Sequence, residues 1–149
     1  RGDPAGFVRV IDRHTLAIPD RRGNNRIDSL RNIVRDPRVA LLFMIPGIGE
    51  TMRVNGRAVI STDPALRESF VMEGKIPQSV ILVPAQRVYP QCQKALARSR
   101  LWDSSRHIPR SALPTVGQMM QAIAQGRADS CDGQSYDAAY PERLRQTFY

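Results

Sequence analysis

The run Asp20-Arg21-Arg22-Gly23-Asn24-Asn25-Arg26 carries the residue types that hold an anion. Guanidinium groups make charge-assisted hydrogen bonds to oxyanions, and Gly23 lets the backbone come close to a ligand. Asn24 or Asn25 can cap a helix whose first N–H groups have no intrahelical partner and so favour a phosphate. Ile27, Leu30, Ile33 and Val34 fall on one face of that helix, and Arg26 stands at its first turn. Asp28, three positions after Asn25, gives it a box-like start. Asp36-Pro37 stops it, because the residue before proline avoids the helical region. The same residues also suit a solvated basic turn before an ordinary surface helix, and the local pattern leaves both readings open.

Other chemistries are poorly served. The chain has no G-x-S-x-G elbow, P-loop lysine, G-x-G-x-x-G after a strand or H-E-x-x-H. Pro46-Gly47-Ile48-Gly49 lacks a third glycine and reads as a turn. His14 and His107 are the only histidines, so a histidine-rich metal site is excluded. Cys92 and Cys131 are far apart and outside any CxxC, which points to a reduced, cytoplasmic protein. Catalytic side chains therefore remain unassigned, and a bound cofactor is the better candidate to carry chemistry.

The elements that must position this loop are mostly strands. Gly6 to Ile11 and Thr15 to Pro19 form a hairpin around Asp12-Arg13-His14. Arg9 points away from Phe7 and Ile11, toward either solvent or a ligand phosphate. Val39 to Ile45 is an unbroken apolar run, as in a strand covered on both faces. Glu50 to Ser61 alternates, with a bend or bulge at Asn55-Gly56. Asp63-Pro64 opens a short helix through Val71 that Gly74 closes. Ser79 to Val88 is a fifth strand, its Pro84 marking an edge or bulge. A short helix lies within Pro90 to Asp103. Thr115 and Gln118 make a capping box for a helix ending at Gly126, and Ser135 starts a last helix that Pro141 breaks early.

The 149 residues suffice for one domain with a real core. The longest apolar run, Val39 to Ile45, is far too short to cross a membrane as a helix. Formal net charge is +8, from 22 basic and 14 acidic residues. Those charges are dispersed rather than clustered, which argues against nucleic acid and fits an anionic small ligand.

The phrases GFVRVID, TLAIPDRRGNNRIDSL, DPRVALLF, MRVNGRAVIS and QCQKALARSRLWD, in that order, resemble the pyridoxamine 5′-phosphate oxidase-like family of FMN-binding split β-barrels. The resemblance covers roughly residues 5 to 103, nearest to the family's uncharacterised flavoproteins. It implies a mainly β, α+β split barrel with peripheral helices, with residues 104–149 as a helical C-terminal extension of a single domain. It also implies FMN as cofactor and a homodimer with sites at the interface. Pro19 and Asp20 would then lie by the flavin, Asn25 and Arg26 at its phosphate, and Thr51 where the oxidase has a glutamine. Lys94, Arg100 and Trp102 would lie near the same site, contributed across the interface, unless Trp102 plugs the core and the basic residues are solvated. Arg9 joins the set in its phosphate-facing reading. Family barrels have six strands against five counted here, so a strand before Arg1 is expected to be missing. The implied activity is FMN-dependent oxidoreduction of an unknown small molecule, less pyridoxamine phosphate itself because Thr51 replaces the glutamine. A non-catalytic flavin-storing module and a haem- or deazaflavin-binding relative are the alternatives.

Overall fold

The computed structural model describes residues 3–23, 26–124 and 132–147. They divide into two compact units after Asp103. The first unit is an antiparallel sheet of six strands: β1 Arg9–Val10, β2 Thr15–Asp20, β3 Arg38–Phe43, β4 Thr51–Arg57, β5 Val59–Ser61 and β6 Ser79–Gln91. The order is β1-β2-β6-β4-β3, with β5 also on β6. The sheet does not close, consistent with a split barrel: β1 and β3 end it among the described residues.

β6 organises the sheet. Its first half lies between β2 and β5, with Ile81 opposite both Ile18 and Ile60, and its second half pairs with β4, Val88 facing Val54. Because side chains alternate along a strand, the two faces of this first half feed different clusters. Ile18, Ala58, Ile81 and Val83 form one, with Leu30 and Ile33 of α1 (Asp28–Arg35) packed on it. Ala17, Val80 and Phe70 form the other, with Leu66 of α2 (Pro64–Glu68).

The strand predicted as Glu50 to Ser61 is interrupted at Ala58, whose N–H donates to the Pro37 carbonyl at 2.7 Å. That interruption turns the five expected strands into six. The expected irregularity at Asn55-Gly56 is present as a register shift against β6. Gly56 is required there, since a Cβ would lie 2.2 Å from the Pro84 carbonyl oxygen. β1 is shorter than its predicted span because it pairs only at Arg9 and Val10. β6 runs on to Gln91 because β4 partners it that far.

β3 differs from the expectation of a strand covered on both faces. It is an edge strand, paired only with β4, and alternates exposed and half-buried residues. Leu42 is 44% exposed, and Met44 and Ile45 extend past the strand's end still more exposed. α2 is capped as predicted, Asp63 Oδ1 accepting from the Leu66 N–H at 2.8 Å. It ends at Glu68 rather than Val71, the Ser69 hydroxyl turning back to the Leu66 carbonyl. Gly74, at φ +73°, serves the tight turn that joins Met72 to Lys75 instead of closing the helix.

The second unit pairs α4 (Val116–Ala124) with α5 (Gly133–Gln146). The predicted capping box forms, Thr115 and Gln118 each donating a backbone N–H to the other's side chain. Asp137 of α5 accepts from the Gly117 N–H and the Thr115 hydroxyl, so one helix caps the start of the other. α5 starts at Gly133, capped by Asp132, and not at Ser135, and it runs through Pro141. Stacked Tyr136 and Tyr140, with Arg143 over both rings, bridge the turns on either side of that proline. Among the described residues no helix is long and apolar enough to cross a membrane.

Gly56→Ala should therefore cost about 1–3 kcal/mol by overpacking against a backbone that cannot retreat. Gly74→Ala, with open space around the new methyl, should cost only the left-handed penalty of about 1–2 kcal/mol. Urea unfolding of the two variants measures both, and structural change at the β4–β6 crossing, seen as a lower m value or altered NMR spectrum, is expected for Gly56→Ala alone.

Candidate functional site

The arginine-rich loop leaves β2 at its Asp20 end, and the structure builds a wide cleft there. Asp20, Arg21, Arg22, Gly23 and Arg26 line it together with the start of α1 and Gln78, around a cavity of about 1050 Å³. Pairing of Asp20 with Ser79 brings Gln78 to the loop across the sheet. Gln78 was not legible as a site residue, because only the β2–β6 register puts it there. Beside it the Ser79 hydroxyl is buried and has no hydrogen-bond partner among the described residues.

The three arginines divide their work. Arg21 turns inward: Nε meets Asp3 Oδ2 at 2.9 Å and Nη1 donates to the Phe70 carbonyl at 2.7 Å. Both side chains of that ion pair are only 12% exposed, so Arg21 is a structural pillar of the cleft. Arg22 and Arg26 are exposed and carry the charge that a ligand would meet. Against them stand Asp20 and Asp28, also in the lining.

α1 begins at Asp28, later than the sequence suggests, with Ile27 at its N-cap in a left-handed conformation, φ 53°. Arg26 therefore precedes the helix instead of standing in its first turn. Ile27 has no side-chain oxygen, so the first-turn N–H groups receive no side-chain cap from it. The predicted caps Asn24 and Asn25 lie outside the described residues.

Arg9 is exposed on β1, one of the directions its alternation left open, and its guanidinium reaches the exit of α2. Its Nη2 donates to the Ser69 carbonyl at 2.5 Å and its guanidinium lies 4.0 Å from the Phe70 ring centre. Arg9 on β1 and Arg21 just after β2 thus both hold Phe70, Arg9 also taking Ser69. Pro19 is fully buried in the sheet, and Asp20 alone of that pair reaches the cleft.

Thr51, Lys94, Arg100 and Trp102 gather elsewhere. Thr51 opens β4, is buried, and pairs with Gln91 at the far end of β6. Lys94 starts α3 (Lys94–Ser99) and is exposed. Arg100 closes that helix in the left-handed region and forms an ion pair with Asp103. Trp102 is half-buried, and its Nε1 donates to the Ile48 carbonyl at 2.9 Å, tying α3's exit to the β3–β4 turn. β6 has 13 residues, about 40 Å when extended, so the cleft at Ser79 and the group at Gln91 occupy opposite ends of one strand. No group of three or more His, Cys, Asp or Glu that could hold a metal occurs among the described residues.

The model of the pyridoxamine 5′-phosphate oxidase family matches residues 1–92, and the chain belongs to that family. Two crystal structures of HupZ from Group A Streptococcus are similar to it. One, of a histidine-to-alanine variant, is 21% identical over 57% of this chain and 73% of that chain, with a TM-score of 0.46. The other is 21% identical over 58% and 70%, with a TM-score of 0.47. No curated protein matches the chain.

Removing the pillar should be distinguishable from removing surface charge. Arg21→Ala leaves Asp3 and the Phe70 carbonyl without their partner and should cost about 2–4 kcal/mol, toward the range for breaking a buried pair. Arg22→Ala should change stability by no more than about 0.5 kcal/mol. Thermal and urea unfolding of the two variants, without ligand, checks the contrast.

Proposed function

We propose that the protein binds FMN and acts as an FMN-dependent oxidoreductase on a small molecule, working as a homodimer whose two sites each draw on both subunits. The observation that carries this reading is the cleft at the end of β2, where Arg22, Arg26, Gly23 and the first turn of α1 surround one cavity. Arg26 would pair with the phosphate, the α1 N–H groups would donate to it, and Asn25 would add its amide. Gly23, with nothing within 4 Å of where a Cβ would stand, leaves the loop backbone open to close approach. Bound there, the flavin supplies hydride or electron transfer, and nearby positive charge favours its anionic reduced form.

The separation along β6 supports the shared site. A flavin nucleotide is far shorter than that strand, so Thr51, Lys94, Arg100 and Trp102 cannot reach a flavin whose phosphate sits at Arg26 of the same chain. A second subunit can bring them. The exposed Leu42, Met44, Ile45 and Met52 on and beside β3 offer apolar surface for such a contact.

Purified protein should show the blue absorption of flavin rather than a haem Soret band. Arg26→Ala should weaken FMN binding by about 1.5–3 kcal/mol, the scale of a hydrogen bond to a charged group, or about ten- to a hundredfold. Riboflavin, which lacks the phosphate, should be almost unaffected. Fluorescence titration of both ligands into both proteins decides the point, and an unchanged FMN-to-riboflavin affinity ratio overturns the anchor. Mixing Arg26→Ala with Trp102→Ala subunits should restore one intact site per mixed dimer; a stable monomer at micromolar concentration overturns the sharing.

A further inference from the structure

Beneath α1 lies a second cavity, of about 270 Å³, that the FMN reading does not use. Its floor is Ile18, Ile81 and Val83 of the main core, and its walls are Ile33, Val39 and Leu41. α1 roofs it loosely: the helix buries none of its own residues, although Leu30 and Ile33 face the core. Dry cavities lined by aliphatic side chains bind aromatic molecules, a void of about 150 Å³ sufficing for benzene.

The rim sets the polarity of what could enter. Asp36 and Arg38 sit at its edge but satisfy each other, Arg38 Nε donating to both carboxylate oxygens at 2.9–3.0 Å. Hydrogen bonds from Arg38 hold the Asp36 carboxyl down at about 2, so the pair is a closed ion pair at neutral pH and presents no net charge to a guest. Ser29 and Asn32 also line the opening. Neither side chain has a hydrogen-bond partner among the described residues, so a donor and an acceptor remain open beside an otherwise apolar slot.

We propose that this slot is a binding site for an uncharged aromatic molecule of about two fused rings carrying one hydroxyl or N–H group, the rings on Ile18, Ile81 and Val83 and the polar group on Asn32 or Ser29. Its chemistry is opposite to that of the arginine-lined cleft, and the two are separate cavities that share only Ser29 of α1. The site holds whether or not FMN binds next door.

The test uses the full chain without flavin, with 2-naphthol as probe and 2-naphthalenesulfonate as its charged counterpart. Saturable binding of 2-naphthol, seen in its fluorescence and as a raised melting temperature, with at least tenfold weaker binding of the sulfonate, is expected. Asn32→Ala should weaken 2-naphthol about three- to tenfold, the size of a neutral hydrogen bond, and leave naphthalene unchanged. Val39→Phe should fill the slot and abolish binding of both. Should that variant fail to fold, amide NMR of the wild type decides: shifts confined to residues around 18, 29–41 and 81–83 support the site. No saturable binding, equal binding of the sulfonate, or shifts elsewhere overturn it.

Discussion

The hydrogen-bonded ladder of β6 is the constraint on which the first unit depends. One strand of 13 residues is flanked by β2 on one side and by β5 then β4 on the other, so its register fixes the position of nearly every other element. Shifting it by one residue would turn Ile81 and Val83 away from α1 and send Val80 there instead, exchanging the two clusters. The crossing of Gly56 over the Pro84 carbonyl pins that register, since only a residue without a Cβ fits.

From this ladder follows the way the cleft is braced. Arg9 on β1 and Arg21 after β2 both reach Ser69-Phe70, the segment that leaves α2. Phe70 is itself buried against Ala17 and Val80, so the clamp ties the loop to the core of the sheet. Arg21 spends its hydrogen bonds on structure, whereas Arg22 and Arg26 are exposed in the lining of the cleft. The three arginines of this loop thus differ in burial and not in residue type.

The same strand also separates two groups of residues along its length. The arginine loop is at its Ser79 end, and Thr51, Lys94 and Trp102 are at its Gln91 end. The edge strand β3 leaves Leu42 exposed, with Met44 and Ile45 exposed beyond its end.

What the sequence by itself determined is local. The Asp63 cap, the Thr115–Gln118 box, the irregularity at Asn55-Gly56 and the period-2 strands are written within a few residues, where hydrogen bonds and side-chain alternation need no distant partner. The order of the quoted phrases also carried the family, and the match over residues 1–92, which spans the first four of them, bears the family out. Tertiary structure alone decided the rest. Arg9 finds Ser69 across 60 positions and Arg21 finds Phe70 across 49, contacts that no spacing rule encodes. The start of α1, the exposure of β3 and the survival of α5 through Pro141 likewise depend on what packs nearby. A helix boundary or a strand's burial is set by the balance between intrinsic preference and neighbouring surface, and only the fold supplies that surface.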